Sequence, residues 1–234
     1  MCIRDSMKLP MKYPMLRRHF SLLLLSPLIA GPTLAQSSSQ AAAPLAAAGK
    51  GSTILVLGDS LSAEYGLQRG QGWVALMQAR LVQEKIPAQV VNASISGDTT
   101  SGGRSRLPAL LAQHKPGLVI VELGANDALR GLPLAMTQDN LQAMVQAAKA
   151  TGAKVLLVGM QLPPNYGQSY GKQFAGTFGQ VAKDQQVALV PFLLKGVADA
   201  PDAMKWFQAD RIHPVAAAHP TILNTLWPSV KKLL

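Results

Sequence analysis

From residue 53 onwards, short runs of apolar residues alternate with longer stretches in which apolar residues recur near helical spacing. Runs that are apolar at nearly every position are typical of strands buried on both faces. Alternation of such runs with helices predicts a parallel sheet covered on both faces. We predict strands over 53–57, 89–93, 118–123, 154–160 and 187–190, and helices over 73–85, 107–114, 138–151, 170–186 and 220–234.

The first 35 residues have the pattern of an export signal. Basic residues between positions 8 and 18 precede an apolar stretch over 20–34, and residues 33–35 fit a small-x-small cleavage site. A membrane anchor is the alternative, but it needs about 20 uninterrupted apolar residues, and two prolines interrupt this stretch. We therefore expect a signal peptide over residues 1–35 and a periplasmic or secreted mature protein.

Two further segments are expected to lie outside the folded domain. Residues 36–51 are rich in Ser, Ala and Gln, which predicts a flexible linker. Residues 1–6 match the translation of a common transposon-end sequencing adapter, so we predict that they are a library artefact; a genomic sequence that encodes them would contradict this. Residues 52–234 contain no internal repeat and predict one domain.

Cysteine content and charge exclude several classes of function. Cys2 is the only cysteine, so a mature chain without it has no disulfide, thiolate metal site or cysteine nucleophile. The formal charge is +10 for the whole chain and +6 for residues 36–234, which hold 17 Lys and Arg and 11 Asp and Glu. These charges are scattered, which argues against a nucleic-acid partner and is compatible with transient contact with anionic lipid surfaces.

Polar residues collect directly after the predicted strands, where the carboxyl ends of a parallel sheet form a ligand-binding edge. Ser60 follows the first strand, but a serine hydroxyl is a poor nucleophile unless a base removes its proton. Near the C-terminus, His213 lies three residues after Asp210, so the carboxylate can hold one ring nitrogen while the other accepts a proton. Taken alone, each of these residues is more often a turn or surface residue.

An oxyanion formed at this edge would need preorganised donors. Asn126 offers a side-chain amide after the third strand, and Gly97 offers a backbone N–H after the second; an Asx turn and a positive-φ turn are the simpler alternatives. We expect turn or cap roles for three aspartates and surface or packing roles for three other ionisable residues, namely Asp59, Asp98, Asp127, His114, Glu122 and His219.

Four short blocks together resemble the SGNH (GDSL-type) hydrolase family. Gly-Asp-Ser-Leu stands at 58–61, the second-block glycine is Gly97, Gly-Ala-Asn-Asp stands at 124–127 and Asp-Arg-Ile-His at 210–213, in the family's order. Segments 91–99, 122–131 and 162–167 are similar to the bacterial periplasmic subgroup of multifunctional thioesterases, arylesterases and lysophospholipases. Val215 departs from the polar residue that often follows the fourth-block proline.

The resemblance implies an α/β fold of three layers, flavodoxin-like, with a five-stranded parallel sheet in the order 2-1-3-4-5. It implies a serine hydrolase of acyl esters, acyl thioesters or lysophospholipids that works through an acyl-enzyme and needs no metal or organic cofactor. The implied catalytic residues are Ser60 as nucleophile, His213 as base and Asp210 as its partner. The oxyanion hole is implied to consist of the Ser60 and Gly97 N–H groups and the Asn126 amide.

The segment after the fourth predicted strand resembles the subgroup's mobile loop that covers the acyl chain. We expect Leu162, Pro163 and Tyr166 to line an apolar groove there; an ordinary rigid loop is the alternative. The expected partner is a small-molecule acyl ester or thioester, and we expect a monomer. A carbohydrate O-deacetylase of the same family and a non-catalytic lipid-binding protein remain alternatives. No phosphate-binding Gly-x4-Gly-Lys-Ser/Thr motif occurs, and His213, Asp210 and His219 do not make a convincing zinc ligand set.

Overall fold

The structure is a computed structural model, and it describes residues 52–234. The predicted signal peptide over 1–35, the linker over 36–51 and the artefact over 1–6 lie outside the described residues, so these remain predictions. Within 52–234, no helix is long and apolar enough to cross a membrane.

Five parallel strands form a single sheet and, numbered along the chain, lie in the order 2-1-3-4-5, which confirms the predicted fold class. Helices cover both faces of the sheet, so the first and third strands, which lie in its interior, are apolar at most positions, and every residue of the third is buried. Side chains on opposite faces of these strands, such as Ile54 and Leu55, are both completely buried. Each such aliphatic side chain stabilises the fold by about 1.5–3 kcal/mol. The strands are β1 (Ser52–Gly58), β2 (Ala88–Asn92), β3 (Leu118–Glu122), β4 (Lys154–Val158) and β5 (Ala188–Val190).

Six helices connect and flank the strands, and they pack in two groups. One group pairs the first helix with the last, and the other is a row in which α4 lies between α2 and α5. The helices are α1 (Trp73–Gln83), α2 (Thr100–His114), α3 (Ala125–Leu129), α4 (Leu134–Ala150), α5 (Gln168–Gln185) and α6 (His219–Leu233). Short 3-10 turns occur at Pro164–Tyr166, Ala203–Trp206 and Ala216–Ala218.

Two helices differ from their predicted positions, and one was not predicted. Helix α2 begins at Thr100 instead of residue 107, because the Thr99 side chain caps it by accepting a hydrogen bond from the Gly102 N–H. Helix α4 begins four residues earlier than predicted, directly after Pro133. Helix α3 has only five residues and therefore leaves no periodic apolar pattern. Helices α2 and α3 both follow the carboxyl ends of strands, where the polar residues collect.

Candidate active site

Ser60 lies in the tight turn that directly follows β1. The Asp59 carbonyl accepts hydrogen bonds from the N–H groups of Ser62 and Ala63, at 3.2 and 3.0 Å, and the Asp59 side chain accepts one from the Leu61 N–H at 3.0 Å. These bonds bend the chain sharply at the carboxyl edge of the sheet. Ser60 is thereby half-buried, with its hydroxyl directed at the loop near the C-terminus.

The structure brings Ser60, His213 and Asp210 into one hydrogen-bonded row. The distance from Ser60 Oγ to His213 Nε2 is 2.8 Å, and the distance from His213 Nδ1 to Asp210 Oδ2 is 2.7 Å. The Asp210 carboxylate accepts a hydrogen bond from the Nδ1–H group of His213. The other ring nitrogen, Nε2, is therefore the one that can accept the proton of the Ser60 hydroxyl. Residues 153 positions apart in sequence therefore have the geometry of a serine nucleophile with its base.

The carboxylate of Asp210 is held in its ionised form. Partial desolvation raises its pKa, but hydrogen bonds from the backbone N–H groups of His213 and Ile212, together with the imidazole, outweigh this and lower the pKa to about 2. The two backbone bonds, at 3.0 and 2.9 Å, both reach Oδ1, which leaves Oδ2 for the ring. An ionised carboxylate at this position fixes the orientation of the imidazole and stabilises its protonated form.

Gly97 and Asn126 lie beside Ser60 in the same pocket. Gly97 has φ +78°, a conformation that L side chains rarely adopt, and its carbonyl accepts a hydrogen bond from Arg130 at 2.8 Å. The Asn126 amide nitrogen donates to the Asp98 carbonyl at 2.9 Å and to the Asp59 carboxyl at 3.1 Å. Both amide hydrogens thus have protein acceptors, so donation to an oxyanion would replace the longer bond, to Asp59.

Two buried carboxyl groups lie behind the serine turn. Glu122, at the end of β3, is fully buried; its Oε2 accepts hydrogen bonds from the Ser62 hydroxyl at 2.6 Å and the Asp59 N–H at 3.4 Å. No partner for Glu122 Oε1 occurs among residues 52–234. Burial, and then the charge of Asp59, raise the pKa of Glu122 well above its ordinary value. Burial also raises the pKa of Asp59, to about 6, although the Leu61 N–H, His213 and Asn126 act in the opposite direction.

Asp98 and Asp127 stabilise the turns on either side of the site. Asp98 forms an ion pair with Arg106 at 2.8 Å, and Arg106 also donates to the Ala93 carbonyl, which ties together the loop that carries Gly97. Asp127 is buried and accepts hydrogen bonds from the backbone N–H and hydroxyl of Thr100 at the start of α2. The predicted structural roles for these aspartates agree with these contacts.

The cleft at the carboxyl edge has two adjoining parts. The serine pocket, about 370 Å³, contains Ser60, Gly97, Asn126 and His213. The side groove, about 340 Å³, adjoins it through Ala125, Leu129 and Ile212, which line both. The apolar side chains that line the groove further from the serine are Leu162, Pro163, Phe192, Leu194, Met204 and Phe207.

The predicted groove residues do not all reach the groove. Leu162 and Pro163 line it, but Tyr166 is not among its lining residues; Tyr166 ends a 3-10 turn and its side chain is 37% exposed. The expectation for Tyr166 therefore does not agree with the structure. The mobility of this loop stays a prediction.

Tyr65 is a residue of the serine pocket that the sequence did not indicate. Its ring lies 4.3 Å from the imidazole of His213, centroid to centroid, with the two planes inclined by 38°. A tyrosine five positions after the serine is an ordinary loop residue in sequence, and only the folded chain shows that it contacts the histidine. Within 52–234, no group of three or more His, Cys, Asp or Glu side chains is arranged to hold a metal ion.

Comparison with known proteins agrees with this geometry. The model of the GDSL-like lipase/acylhydrolase family matches residues 56–220. The chain is 56% identical to Esterase TesA of Pseudomonas aeruginosa over 182 residues, which cover 78% of this chain and 89% of that protein. It is 43% identical to the thioesterase 1/protease 1/lysophospholipase L1 of Escherichia coli, covering 78% of this chain and 85% of that protein. The crystal structure of the psychrotrophic esterase EstA from Pseudoalteromonas, inhibited by monoethylphosphonate, is 43% identical and superposes with a TM-score of 0.72, covering 77% of this chain and 97% of that one.

Proposed function

Because the chain belongs to the GDSL-like lipase/acylhydrolase family, it is a carboxylic ester hydrolase, and we propose that Ser60, His213 and Asp210 are its catalytic residues. The proposed substrates are acyl esters, acyl thioesters and lysophospholipids, the classes that the names of the relatives describe. The observation that carries the proposal is the 2.8 Å hydrogen bond between Ser60 Oγ and His213 Nε2.

In the first half of the proposed reaction, Ser60 Oγ attacks the acyl carbonyl carbon while His213 Nε2 takes the hydroxyl proton. The carbonyl oxygen becomes an oxyanion that accepts hydrogen bonds from the Ser60 and Gly97 N–H groups and the Asn126 amide. Each such donor is worth roughly 3–4 kcal/mol in the transition state. The tetrahedral intermediate then collapses, the bond to the leaving oxygen or sulfur breaks, and His213 returns its proton to the leaving group.

In the second half, water hydrolyses the acyl-enzyme. His213 Nε2 takes a proton from the water as its oxygen attacks the acyl carbon, and the same donors stabilise the second oxyanion. Collapse breaks the bond to Ser60 Oγ, which regains the proton from His213 and releases the carboxylic acid. The ionised Asp210 stabilises the imidazolium in both halves, in agreement with its lowered pKa of about 2.

The acyl chain is proposed to lie in the side groove. Its lining is mostly apolar, and it adjoins the serine pocket through Ala125, Leu129 and Ile212. A volume of about 340 Å³ is larger than an acetyl group needs, so this observation favours longer acyl chains over a carbohydrate O-deacetylase. Lipid binding without catalysis does not require a serine hydroxyl that is hydrogen-bonded to a base, so the arrangement of Ser60, His213 and Asp210 favours a hydrolase over a non-catalytic lipid-binding protein.

A substrate panel tests the proposed function. Nitrophenyl esters from acetyl to octanoyl, acyl thioesters and lysophospholipids would be given to the wild type and to Ser60→Ala. We expect hydrolysis by the wild type, a preference for chains longer than acetyl, and loss of activity by Ser60→Ala of about 10³-fold or more. Activity confined to acetyl esters would favour the O-deacetylase, and no hydrolysis of any substrate would favour the binding protein.

Location and partners follow as further parts of the proposal. The basic and apolar pattern of residues 1–35 supports export to the periplasm or secretion, and fractionation of cells that express the chain with and without this segment tests it. Met204 and Ile212 line the groove and are 59% and 46% exposed, which supports transient contact with lipid surfaces. We propose a monomer, which sedimentation equilibrium would test.

A further inference from the structure

The loop that carries Asp210 and His213 is closed at its base like a hairpin. The Val215 N–H donates to the Trp206 carbonyl at 2.9 Å, and the Gln208 N–H donates to the His213 carbonyl at 2.8 Å. Phe207 and Pro214 pair as an isolated antiparallel bridge between these bonds. We name residues 206–215 the histidine loop; its internal bonds fix Asp210 relative to His213 but do not fix either of them relative to Ser60.

The side chain of Gln208 connects the histidine loop to the serine turn. Its amide nitrogen donates to the Tyr65 carbonyl at 2.9 Å and to the Pro214 carbonyl at 3.0 Å. Pro214 directly follows the histidine, and Tyr65 closes the turn that begins at Ser60, since its N–H donates to the Ser60 carbonyl at 3.4 Å. The two hydrogens of one amide thus join two segments that are far apart in sequence.

The backbone at Gly66 is shaped to receive this amide. Gly66 has φ +71°, and a Cβ at this position would overlap the Gln208 side-chain carbonyl oxygen. A side chain on residue 66 would therefore push Gln208 away from the Tyr65 carbonyl. The close approach of the glutamine to the serine side of the cleft depends on this glycine.

The bond to Tyr65 also fixes the aromatic ring that contacts the base. The carbonyl that Gln208 holds belongs to the same residue whose ring lies 4.3 Å from the His213 imidazole. The imidazole is therefore bounded by Asp210 at Nδ1, Ser60 at Nε2 and the Tyr65 ring on one face. Because a displacement of about 1 Å at a reacting group can cost about 100-fold in rate, a contact that sets this spacing affects catalysis without touching substrate.

We propose that Gln208 is a positioning residue that sets the distance between Ser60 and His213 by holding Tyr65 and Pro214 together. The inference rests on the proposed function, in which Ser60 and His213 react with an acyl ester. Gln208 lies outside the reacting atoms, so its effect is on kcat and on the contact of Tyr65 with the imidazole, and not on substrate binding.

Gln208→Glu is the sharpest variant, because it keeps the size of the side chain and replaces the donor nitrogen with an oxygen that faces two carbonyl oxygens. We expect kcat for nitrophenyl butyrate to fall 10- to 100-fold while KM changes less than about threefold. Gln89→Glu, an exposed residue at the start of β2 that donates to the Thr53 hydroxyl, is the matched control and keeps the wild-type kcat.

A second measurement does not depend on activity. Because the Tyr65 ring lies 4.3 Å from the imidazole, we expect its ring current to shift the NMR resonance of the His213 Cε1 proton. We expect Gln208→Glu to move this resonance towards its position in Tyr65→Ala, while Gln89→Glu leaves it in place. If Gln208→Glu does not fold, Gln208→Ala removes the donor without adding charge, and we expect about a 10-fold lower kcat and the same direction of shift.

For whichever variant folds, a kcat within twofold of the wild type overturns the proposal, and so does an unmoved His213 resonance. A wild-type chain that hydrolyses no ester would instead contradict the proposed function. In that case the resonance alone decides whether Gln208 holds Tyr65 against the imidazole, so the two failures are distinguishable.

Discussion

Gly58 and Glu122 are register partners at the carboxyl ends of β1 and β3, and a Cβ on Gly58 would lie 2.8 Å from Glu122 Oε2. The glycine leaves space for a carboxyl group directly behind the serine turn. That carboxyl accepts hydrogen bonds from the N–H of Asp59, which directly precedes Ser60, and from the hydroxyl of Ser62, two positions after Ser60. An ionisable group thus supports the serine turn from inside the core, where burial favours its neutral form.

The first prediction concerns Glu122 and the pH dependence of folding. Its pKa is raised in the folded state, so between the ordinary glutamate pKa of 4.5 and the pKa of the folded state the native chain holds a proton that the unfolded chain has released. This contribution to stability is complete at low pH and is lost as pH rises through the folded pKa. Glu122→Gln stays neutral, so we expect its free energy of unfolding to decrease less between pH 5 and pH 9 than that of the wild type.

Urea unfolding at pH 5, 7 and 9 checks this prediction. All other ionisable groups are the same in both proteins, so the difference between wild type and variant reports Glu122 together with its interaction with the Asp59 carboxyl group. Glu84→Gln is the control. Hydrogen bonds from Lys231 and then Arg80 lower the pKa of Glu84, so Glu84 does not contribute to the decrease in the free energy of unfolding between pH 5 and pH 9, and its replacement leaves that decrease unchanged. Equal pH dependence in wild type and Glu122→Gln would contradict the assignment.

The second prediction concerns Asn126 as an oxyanion donor. Asn126→Ala removes the amide that contacts Asp98 and Asp59 beside Ser60. We expect kcat for nitrophenyl butyrate to fall 100- to 1000-fold with little change in KM, since the donor acts on charge that develops in the transition state. Steady-state kinetics on folded protein measures it, and a kcat within threefold of the wild type would remove Asn126 from the oxyanion hole.

The third prediction concerns acyl-chain selectivity. Leu162 lines the side groove, so Leu162→Ala removes apolar contact with a long chain; at about 0.8 kcal/mol per buried CH₂ group we expect kcat/KM for octanoyl esters to fall about 10-fold. Butyryl esters, which reach less far, should be hydrolysed at nearly the wild-type rate. Tyr166→Ala is the matched control on the same loop, outside the groove lining. An unchanged octanoyl-to-butyryl ratio in Leu162→Ala, or a shift in Tyr166→Ala, would contradict this assignment of the groove.

The fourth prediction compares two glycines within helices. A Cβ at Gly103 in α2 would overlap the side chain of Leu123 and lie 3.2 Å from Met144 Sδ, whereas a Cβ at Gly176 in α5 would meet nothing within 4 Å. We expect Gly103→Ala to destabilise the fold by about 1–3 kcal/mol through overpacking, and Gly176→Ala to stabilise it by about 0.5–1 kcal/mol through helix propensity. Chemical denaturation of both variants measures the difference, and a Gly103→Ala variant as stable as the wild type or more stable would show that packing at Gly103 is not limiting.

The strands were predictable because each contains a short apolar run, and the order of the sheet was predictable only through the resemblance to a family. The start of α2 was not, because Gly102 and Gly103 are poor helix formers and Thr99 caps the helix through a side-chain contact that no periodicity reveals. Gly103 lies where α2 packs closely on Leu123 at the end of β3. Close packing thus explains a glycine that weakens the helix signal.

The site residues, like the helices and strands, were predictable only in part. Ser60, Gly97, Asn126, Asp210 and His213 carry motifs, and the fold brings them into one pocket or beside it. The contacts of three further residues could not be read from the chain: the Tyr65 ring on His213, the bonds of Gln208 across 143 positions, and the Glu122 carboxyl against the serine turn. Each depends on where a side chain points after folding, which local patterns do not encode.

Labelling by a fluorophosphonate tests the catalytic role of Ser60 most directly. The reagent phosphonylates only an activated serine, so we expect peptide mapping of the folded wild type to show a single adduct on Ser60. We also expect no adduct in Ser60→Ala and labelling at least 100-fold slower in His213→Ala, which lacks the base at 2.8 Å. An adduct on another residue, or hydrolysis that persists in Ser60→Ala at the wild-type rate, would contradict the account.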